Sequence, residues 1–331
     1  MKTNQTTIKA TFQEANNGKA FTQIDLSSLP EFKETNFTVS KNDERCKLIT
    51  NLRNVAFPSL PSECVIENTY SGILATDLFS LNTLLGSMIE SKVVYFLNSH
   101  RYLWDDKGKW SEYHFIRSNE SFPDVRLVKK VGKSTPLLGI ELKSWFILSK
   151  EGEPSFRYRT ASEACDNGDL LCIIPWYLSD AVCGNPVLAA PWIYSAKAAA
   201  EASKRYWLYE RQTEKPYTLE QRGLITPKGV KPYMENARDE TNYKPVYDGG
   251  NNFGRLARTG IMSEFVTEIL QTDILGISAD NWRLFLKAHT DSTALQDIQR
   301  KIKTITKIPK LEEFDLLMKA LRDYMDEIPT I

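Results

Sequence analysis

The apolar positions of this chain change period several times, and those changes divide it. Residues 1 to about 75 are polar and mixed, without a sustained period; they read as an N-terminal arm or small helical layer packed on the main domain. From Asp77 to Asn98, Leu78, Leu81, Leu85, Met88 and Phe96 recur at helical spacing, with Thr76 or Asp77 as N-cap. Between Arg101 and Ile116 two aromatic-rich runs flank Asp106-Lys107-Gly108, a pattern that predicts a hairpin. Two short β-rich runs come next, Ser121–Val128 and Leu137–Trp145, and pair antiparallel across the connection at 129–136.

Further on, a short helix is expected near Ser162–Cys165. The continuous apolar run Asp169–Pro175 suits a strand covered on both faces. Tyr194–Glu210 is alanine-rich and predicts a close-packed helix. Apolar residues thin out over 211–258, a connection too long to be a simple turn. Helical spacing returns in Met262/Phe265/Ile269, Trp282/Phe285 and Leu311/Phe314/Met318/Leu321. The chain therefore reads as one α/β domain (1–331) with a core at 76–210, an insertion at 211–258 and C-terminal helices at 259–331.

Charge enters this pattern where it is least expected. Asp124, Glu141 and Lys143 lie at or inside the two β-rich runs, flanked by apolar residues. Residues two apart on a strand share a face, so Glu141 and Lys143 point the same way and Leu142 the other. Pro123 marks the start or bend of its strand. Antiparallel pairing of the runs lets Asp124 approach Glu141, and a divalent cation relieves the repulsion of two such carboxylates.

Composition narrows the alternatives. Lys plus Arg and Asp plus Glu number 42 each, so the balance is neutral and a generic nucleic-acid coat is disfavoured, though a local basic groove is not. Five cysteines without a Cys-x-x-Cys pair, and three histidines, do not supply a zinc site of ordinary spacing; free thiols in a reducing compartment are expected. The N-terminal residues lack the apolar core of a signal peptide, and no apolar run is long enough to span a bilayer. A cytoplasmic protein, with no membrane partner, is expected.

An acid-x-lysine triplet is a weak signal, because Glu31-Phe-Lys33, Glu90-Ser-Lys92 and Asp105-Asp106-Lys107 also fit it. Only Glu141-Leu142-Lys143 lies in a strand-like run that comes after a Pro-Asp strand at short range. With Pro123-Asp124 and the helix carrying Glu90, this arrangement resembles the PD-(D/E)XK nuclease superfamily, and type II restriction endonucleases in particular, over about residues 77–210. The resemblance implies a restriction-endonuclease-like core, a central mixed β-sheet flanked by helices, here with N-terminal and C-terminal helical additions. It implies Mg²⁺, for which Mn²⁺ substitutes, held by Asp124, Glu141 and the Leu142 carbonyl, with Glu90 as a further acidic group on the helix. It implies that Lys143 orients or activates the attacking water. It further implies a prokaryotic cytoplasmic enzyme, double-stranded DNA as substrate, cleavage to 5′-phosphate ends, a homodimer, and a separately encoded cognate DNA methyltransferase.

In the insertion, Arg222, Lys228, Asn251, Asn252, Arg255 and Arg258 lie among glycines and asparagines. Arginine and asparagine are the side chains that read guanine and adenine edges, so this segment is expected to contact DNA; an ordinary surface insertion is the other reading. Three competing functions share the chain: a structure-specific or repair nuclease of the same superfamily, a catalytically inactive DNA-binding protein, and a glycosidase using Asp124 and Glu141 as its carboxylate pair. The glycosidase would require neither Lys143 nor a metal.

Overall fold

The computed structural model describes residues 12–13, 20–21, 31–73, 75–78, 80–118, 121–132, 135–211, 226, 228–234, 238, 252–288, 316, 319–320 and 323. Its centre is a six-stranded mixed sheet: β1 (Tyr113–Arg117), β2 (Val125–Lys129), β3 (Leu138–Phe146), β4 (Leu170–Leu178), β5 (Pro186–Leu188) and β6 (Trp192–Ser195). β1, β2 and β3 form an antiparallel meander, and β3 pairs parallel with β4. The far edge of β4 carries β5 and β6, both antiparallel. The expected antiparallel pairing of the two β-rich runs is present, with Val125 opposite Ile140. β4 is buried along nearly all its length, as its unbroken apolar run requires.

Helices cover the sheet. α1 (Cys46–Asn51) continues through tighter and wider turns to Glu63. Pro58 and Pro61 lack the N–H that a regular helix needs, and the turn type changes around them. Leu48, Leu52, Ala56 and Leu60 come at every fourth position and are almost fully buried. The helical layer expected before residue 75 is therefore present, with a period that the prolines obscure.

α2 (Leu81–Ser99) lays Leu81, Leu85, Ile89, Val93 and Leu97 into the core. Its predicted N-cap is corrected: Thr76 and Asp77 belong to a separate turn, Ala75–Leu78, which the Asp77 carbonyl closes by accepting from Ser80 N. Inside the first turn of α2, Asn82 Oδ1 accepts from Phe146 N at 3.0 Å, from Trp176 Nε1 at 3.3 Å and from Ser144 Oγ at 3.4 Å. One side chain thus ties the helix to two strands. Four residues on, a Cβ at Gly86 would stand 2.9 Å from Ser144 Oγ, so this glycine allows close approach of helix and sheet.

The hairpin expected over 101–116 is also corrected. Arg101–Leu103 forms a single tight turn after α2, and Trp104 folds back so that its indole N–H donates to the Leu97 carbonyl at 2.7 Å. Asp105 accepts from Trp110 N at 3.0 Å, and the Arg101 guanidinium donates to the carbonyls of Trp110 and Tyr113. Burying Trp104 against the helix end removes the first arm of the hairpin, and only the second becomes a strand.

α3 (Ala196–Arg205) is the alanine-rich helix; it starts two residues later than expected because Trp192–Ser195 joins the sheet, and it runs on through a wider turn to Glu210 as expected. Ser195 Oγ caps it, accepting from Ala198 N at 3.2 Å. Beyond the insertion come α4 (Ser263–Ile269), a small hairpin of β7 (Asp273–Ile274) and β8 (Ile277–Ser278), and α5 (Ala279–Ala288), which buries Trp282 and Phe285. Leu311, Phe314, Met318 and Leu321 lie outside the described residues. No helix among the described residues is long and apolar enough to cross a membrane.

Candidate active site at the divergence of two strands

β2 and β3 stay paired from Leu127/Leu138 to Val125/Ile140 and then part. Extending that register by two steps sets Asp124 opposite Glu141 and then Pro123 opposite Leu142. Proline has no N–H to offer the facing strand, so the ladder ends there. The Leu142 N–H turns instead to Asp124 Oδ2 at 3.1 Å, and Asp124 N donates to Glu141 Oε2 at 3.2 Å. N–H and C=O of one strand residue point to the same edge, so the Leu142 carbonyl faces the same gap.

Lys143 closes the constellation. Its Nζ lies 2.8 Å from Asp124 Oδ2 and 2.7 Å from Glu141 Oε1. Glu141 is 8% exposed, whereas the Asp124 and Lys143 side chains are about a quarter to a third open, at 30% and 25%. The cluster therefore has a buried floor and an open mouth. Burial pushes the Glu141 carboxyl up; the Lys143 charge opposes this and the Asp124 charge adds to it. For Lys143 burial pulls down, but the charges of Glu141 and Asp124 outweigh it and raise the ammonium above its ordinary value. The lysine is a fixed cation here rather than a ready base.

Glu90 approaches from α2, one turn beyond the close contact at Gly86. It pairs with Arg117 on β1 at 3.1 Å, and its carboxyl is raised by burial and by the neighbouring charge of Asp124. Three carboxylates thus face two cations, Lys143 and Arg117, leaving one negative charge in excess. The donor set, carboxylate and carbonyl oxygens around a desolvated Glu141, fits a hard divalent cation such as Mg²⁺. Among the described residues no three carboxylate, thiol or imidazole groups already stand as a metal cage, since Lys143 bridges the two central carboxylates. A cleft of about 620 Å³ between the start of α2 and the end of β3 is lined by Ser80, Asn82, Ser144 and Glu151. Strand alternation turns Ser144 to the face opposite Lys143, so the cleft is separate from the charged cluster.

Beneath the site lies a residue that sequence reasoning passed over. Asp169, fully buried at the start of β4, accepts from Gly139 N at 2.6 Å, Asp166 N at 2.8 Å and Tyr233 Oη at 2.8 Å. Burial pushes its carboxyl up to about 7 despite these three donors. A Cβ at Gly139 would stand 2.4 Å from Pro123 Cγ and 2.8 Å from Asp169 Oδ1, so the strand seats the Pro-Asp turn directly on this support. Asp169 read as the polar flank of an apolar run; the Asp-to-Gly139 spacing across a parallel pair has no one-dimensional signature.

The residues expected to contact DNA are scattered. Arg222 and Asn251 lie outside the described residues. Lys228 is exposed on a turn, and Asn252 is half-buried, its carbonyl accepting from Arg255 N at 3.1 Å. Arg255 is 9% exposed and sits 3.6 Å from Glu151 and 3.9 Å from Glu153. Arg258 pairs with Glu153 at 2.7 Å and keeps 43% of its side chain exposed. Arg255 and Arg258 are drawn onto an acidic loop about a hundred residues earlier in the chain, a contact with no local signature.

No protein family, no curated protein and no solved structure matches this chain.

Proposed function

We propose that the chain is a Mg²⁺-dependent type II restriction endonuclease with a restriction-endonuclease-like core, hydrolysing phosphodiester bonds of double-stranded DNA at a specific sequence. The observation that carries this reading is the meeting of Asp124, Glu141 and Lys143 where β2 leaves β3, with Glu90 facing them from α2. A glycosidase pair would have no use for an ammonium bridging both carboxylates. The homodimer, the cognate methyltransferase and the prokaryotic cytoplasm belong to the same proposal.

Asp124, Glu141 and the Leu142 carbonyl would hold Mg²⁺, with Mn²⁺ as a substitute and Glu90 beside them. When bound, the ion supplies Lewis-acid stabilisation of charge on the phosphate and a more acidic water. Lys143, held charged by its two carboxylates, presents a cation to the phosphate oxygens as negative charge builds on them. The buried floor at Glu141 excludes water from one side, and the open mouth at Asp124 admits the substrate. The attacking water forms the new P–O bond as the P–O3′ bond breaks. Its proton passes to solvent and the 3′-oxygen takes one up, leaving 5′-phosphate and 3′-hydroxyl ends.

The test is incubation with supercoiled plasmid in Mg²⁺ or in EDTA, with sequencing of the ends. Discrete fragments in Mg²⁺ alone, lost in Asp124→Asn, are expected. Nicking governed by DNA structure would move the assignment to a repair nuclease, and the absence of cleavage on any duplex in Mg²⁺ or Mn²⁺ would refute it.

A further inference from the structure

The insertion reaches back beneath the candidate site through one side chain. From Lys228 to Met234 only Val230 and Tyr233 are half-buried; the other five residues are exposed. Tyr233 follows Pro232 in a turn that Met234 N closes by donating to the Lys231 carbonyl at 3.3 Å. Its φ of 63° lies in the left-handed region, which suits glycine and is unfavourable for a bulky side chain. Such a conformation persists where the surroundings fix it. Here two bonds do so: Tyr233 N donates to the Ala164 carbonyl at 3.2 Å, and Tyr233 Oη donates to Asp169 Oδ1 at 2.8 Å.

What Tyr233 holds is the support under the cluster. Asp169 Oδ1 accepts at the same time from Gly139 N at 2.6 Å, and Asp169 Oδ2 accepts from Asp166 N at 2.8 Å. Arg45 joins this support, donating to Asp166 Oδ1 at 2.7 Å and to the Leu137 carbonyl at 3.2 Å. The entry to β3 is thus pinned at Leu137 by Arg45 and at Gly139 by Asp169. Gly139 leaves no space for a Cβ beside the Pro123 ring, so the residue before Asp124 rests on that point. Glu141 lies two places along the same face of the strand. Asp169 is fully buried, and loss of the phenol would leave its Oδ1 with one of two donors.

We propose that Tyr233 is a positioning residue: by holding Asp169 against Gly139, its hydroxyl fixes the Pro123-Asp124 turn in place beside Glu141. The proposal rests on the nuclease reading for the reaction it serves, and it gives the insertion a part in assembling the site.

The test compares the wild-type chain with Y233F, which removes the hydroxyl and keeps the ring, and with Y158F. The latter deletes a buried hydroxyl that donates to the Ala196 carbonyl instead. Amide hydrogen exchange, followed by mass spectrometry, should quicken about tenfold in Y233F over peptides 121–128 and 137–143, as for one lost bond to a buried carboxylate. Y158F should leave those peptides unchanged. The pH profile of the urea midpoint is a second readout. Burial pushes the Asp169 carboxyl up to about 7 and the Tyr233 hydroxyl holds it down, so in Y233F the fall in stability with rising pH should extend further upward. Of the other titratable groups acting on Asp169, Asp166 stays paired with Arg45 at 2.7 Å, and burial keeps Tyr158 and Cys165 neutral. Single-turnover plasmid cleavage by Y233F should slow about tenfold while its affinity for duplex stays within about twofold. Wild-type exchange in both peptides of Y233F would overturn the proposal, as would acceleration spread over the whole chain, an equal effect of Y158F, or cleavage by Y233F at the wild-type rate. An unshifted pH profile would deny the bond itself. Local acceleration in a chain that never cleaves DNA would defeat the nuclease reading alone and leave the hold on the Pro123-Asp124 turn standing.

Discussion

At the scale of single residues the site is governed by the sharing of one ammonium between two carboxylates. Lys143→Ala leaves Glu141 buried beside Asp124 with no positive charge between them. The expected cost is about 2 kcal/mol of stability, below the value for a fully buried pair because Asp124 and Lys143 are partly solvated. A urea titration should show it as a lower midpoint, and plasmid cleavage should be lost. An unchanged midpoint would mean that the three side chains do not share charge as described. Asp124, Glu141 and Lys143 were legible in the sequence because charged letters stood out from strand-like apolar runs. Asp169 was not, because its role depends on a parallel pairing that sets it against Gly139.

At the scale of elements, the Pro123-Asp124 turn is held by packing beneath it. Gly139→Ala would press a methyl against the buried Pro123 ring and the Asp169 carboxyl, which three donors hold in place. A loss of about 2 kcal/mol is expected from overpacking, together with displacement of Asp124 and slower cleavage. A calorimetric scan and a single-turnover assay check the two parts. Asp169 gives the same support a pH dependence. Its folded value of about 7 lies above the ordinary 3.8, so between those limits the unfolded chain sheds a proton that the folded chain keeps. Stability contributed by this group therefore falls as pH rises from about 4 to about 7 and is level above that. Asp169→Asn should flatten this part of the profile of urea midpoint against pH; an identical profile in both proteins would exclude Asp169 as its source. The strands themselves were readable from alternation and apolar runs. The aromatic hairpin failed because Trp104 gains more by folding onto the end of α2 than by pairing in a strand, a tertiary effect outside any local pattern.

For the molecule as a whole, net neutrality conceals a local excess: the cluster of Asp124, Glu141, Glu90, Lys143 and Arg117 at the strand divergence is one unit negative. On the proposed reading, Mg²⁺ binding at this site should stabilise the chain by about 2.7 kcal/mol at a hundredfold excess over its dissociation constant. Differential scanning fluorimetry should therefore show a midpoint that climbs with MgCl₂ in the wild type and stays level in an Asp124→Asn/Glu141→Gln variant. A parallel climb in both would place the ion elsewhere. The α/β class was legible from the order of periods along the chain. The packing of residues 46–63 onto the core was not, since Pro58 and Pro61 hid a period that burial makes plain.

The parallel pairing of β3 with β4 cannot be closed by a tight turn, so it obliges the chain to make a long excursion between them. That excursion carries Arg157 and Arg159, while Glu141 and Lys143 stay on the strand it leaves. The excursion is thus written in a stretch of gene adjacent to, but separable from, the one that encodes Glu141 and Lys143. Mutations that lengthen, shorten or recharge the excursion leave the strand that carries Glu141 and Lys143 unaltered in sequence. On the proposed nuclease reading, such an arrangement lets the surroundings of the site diversify while the residues that cut are inherited unchanged.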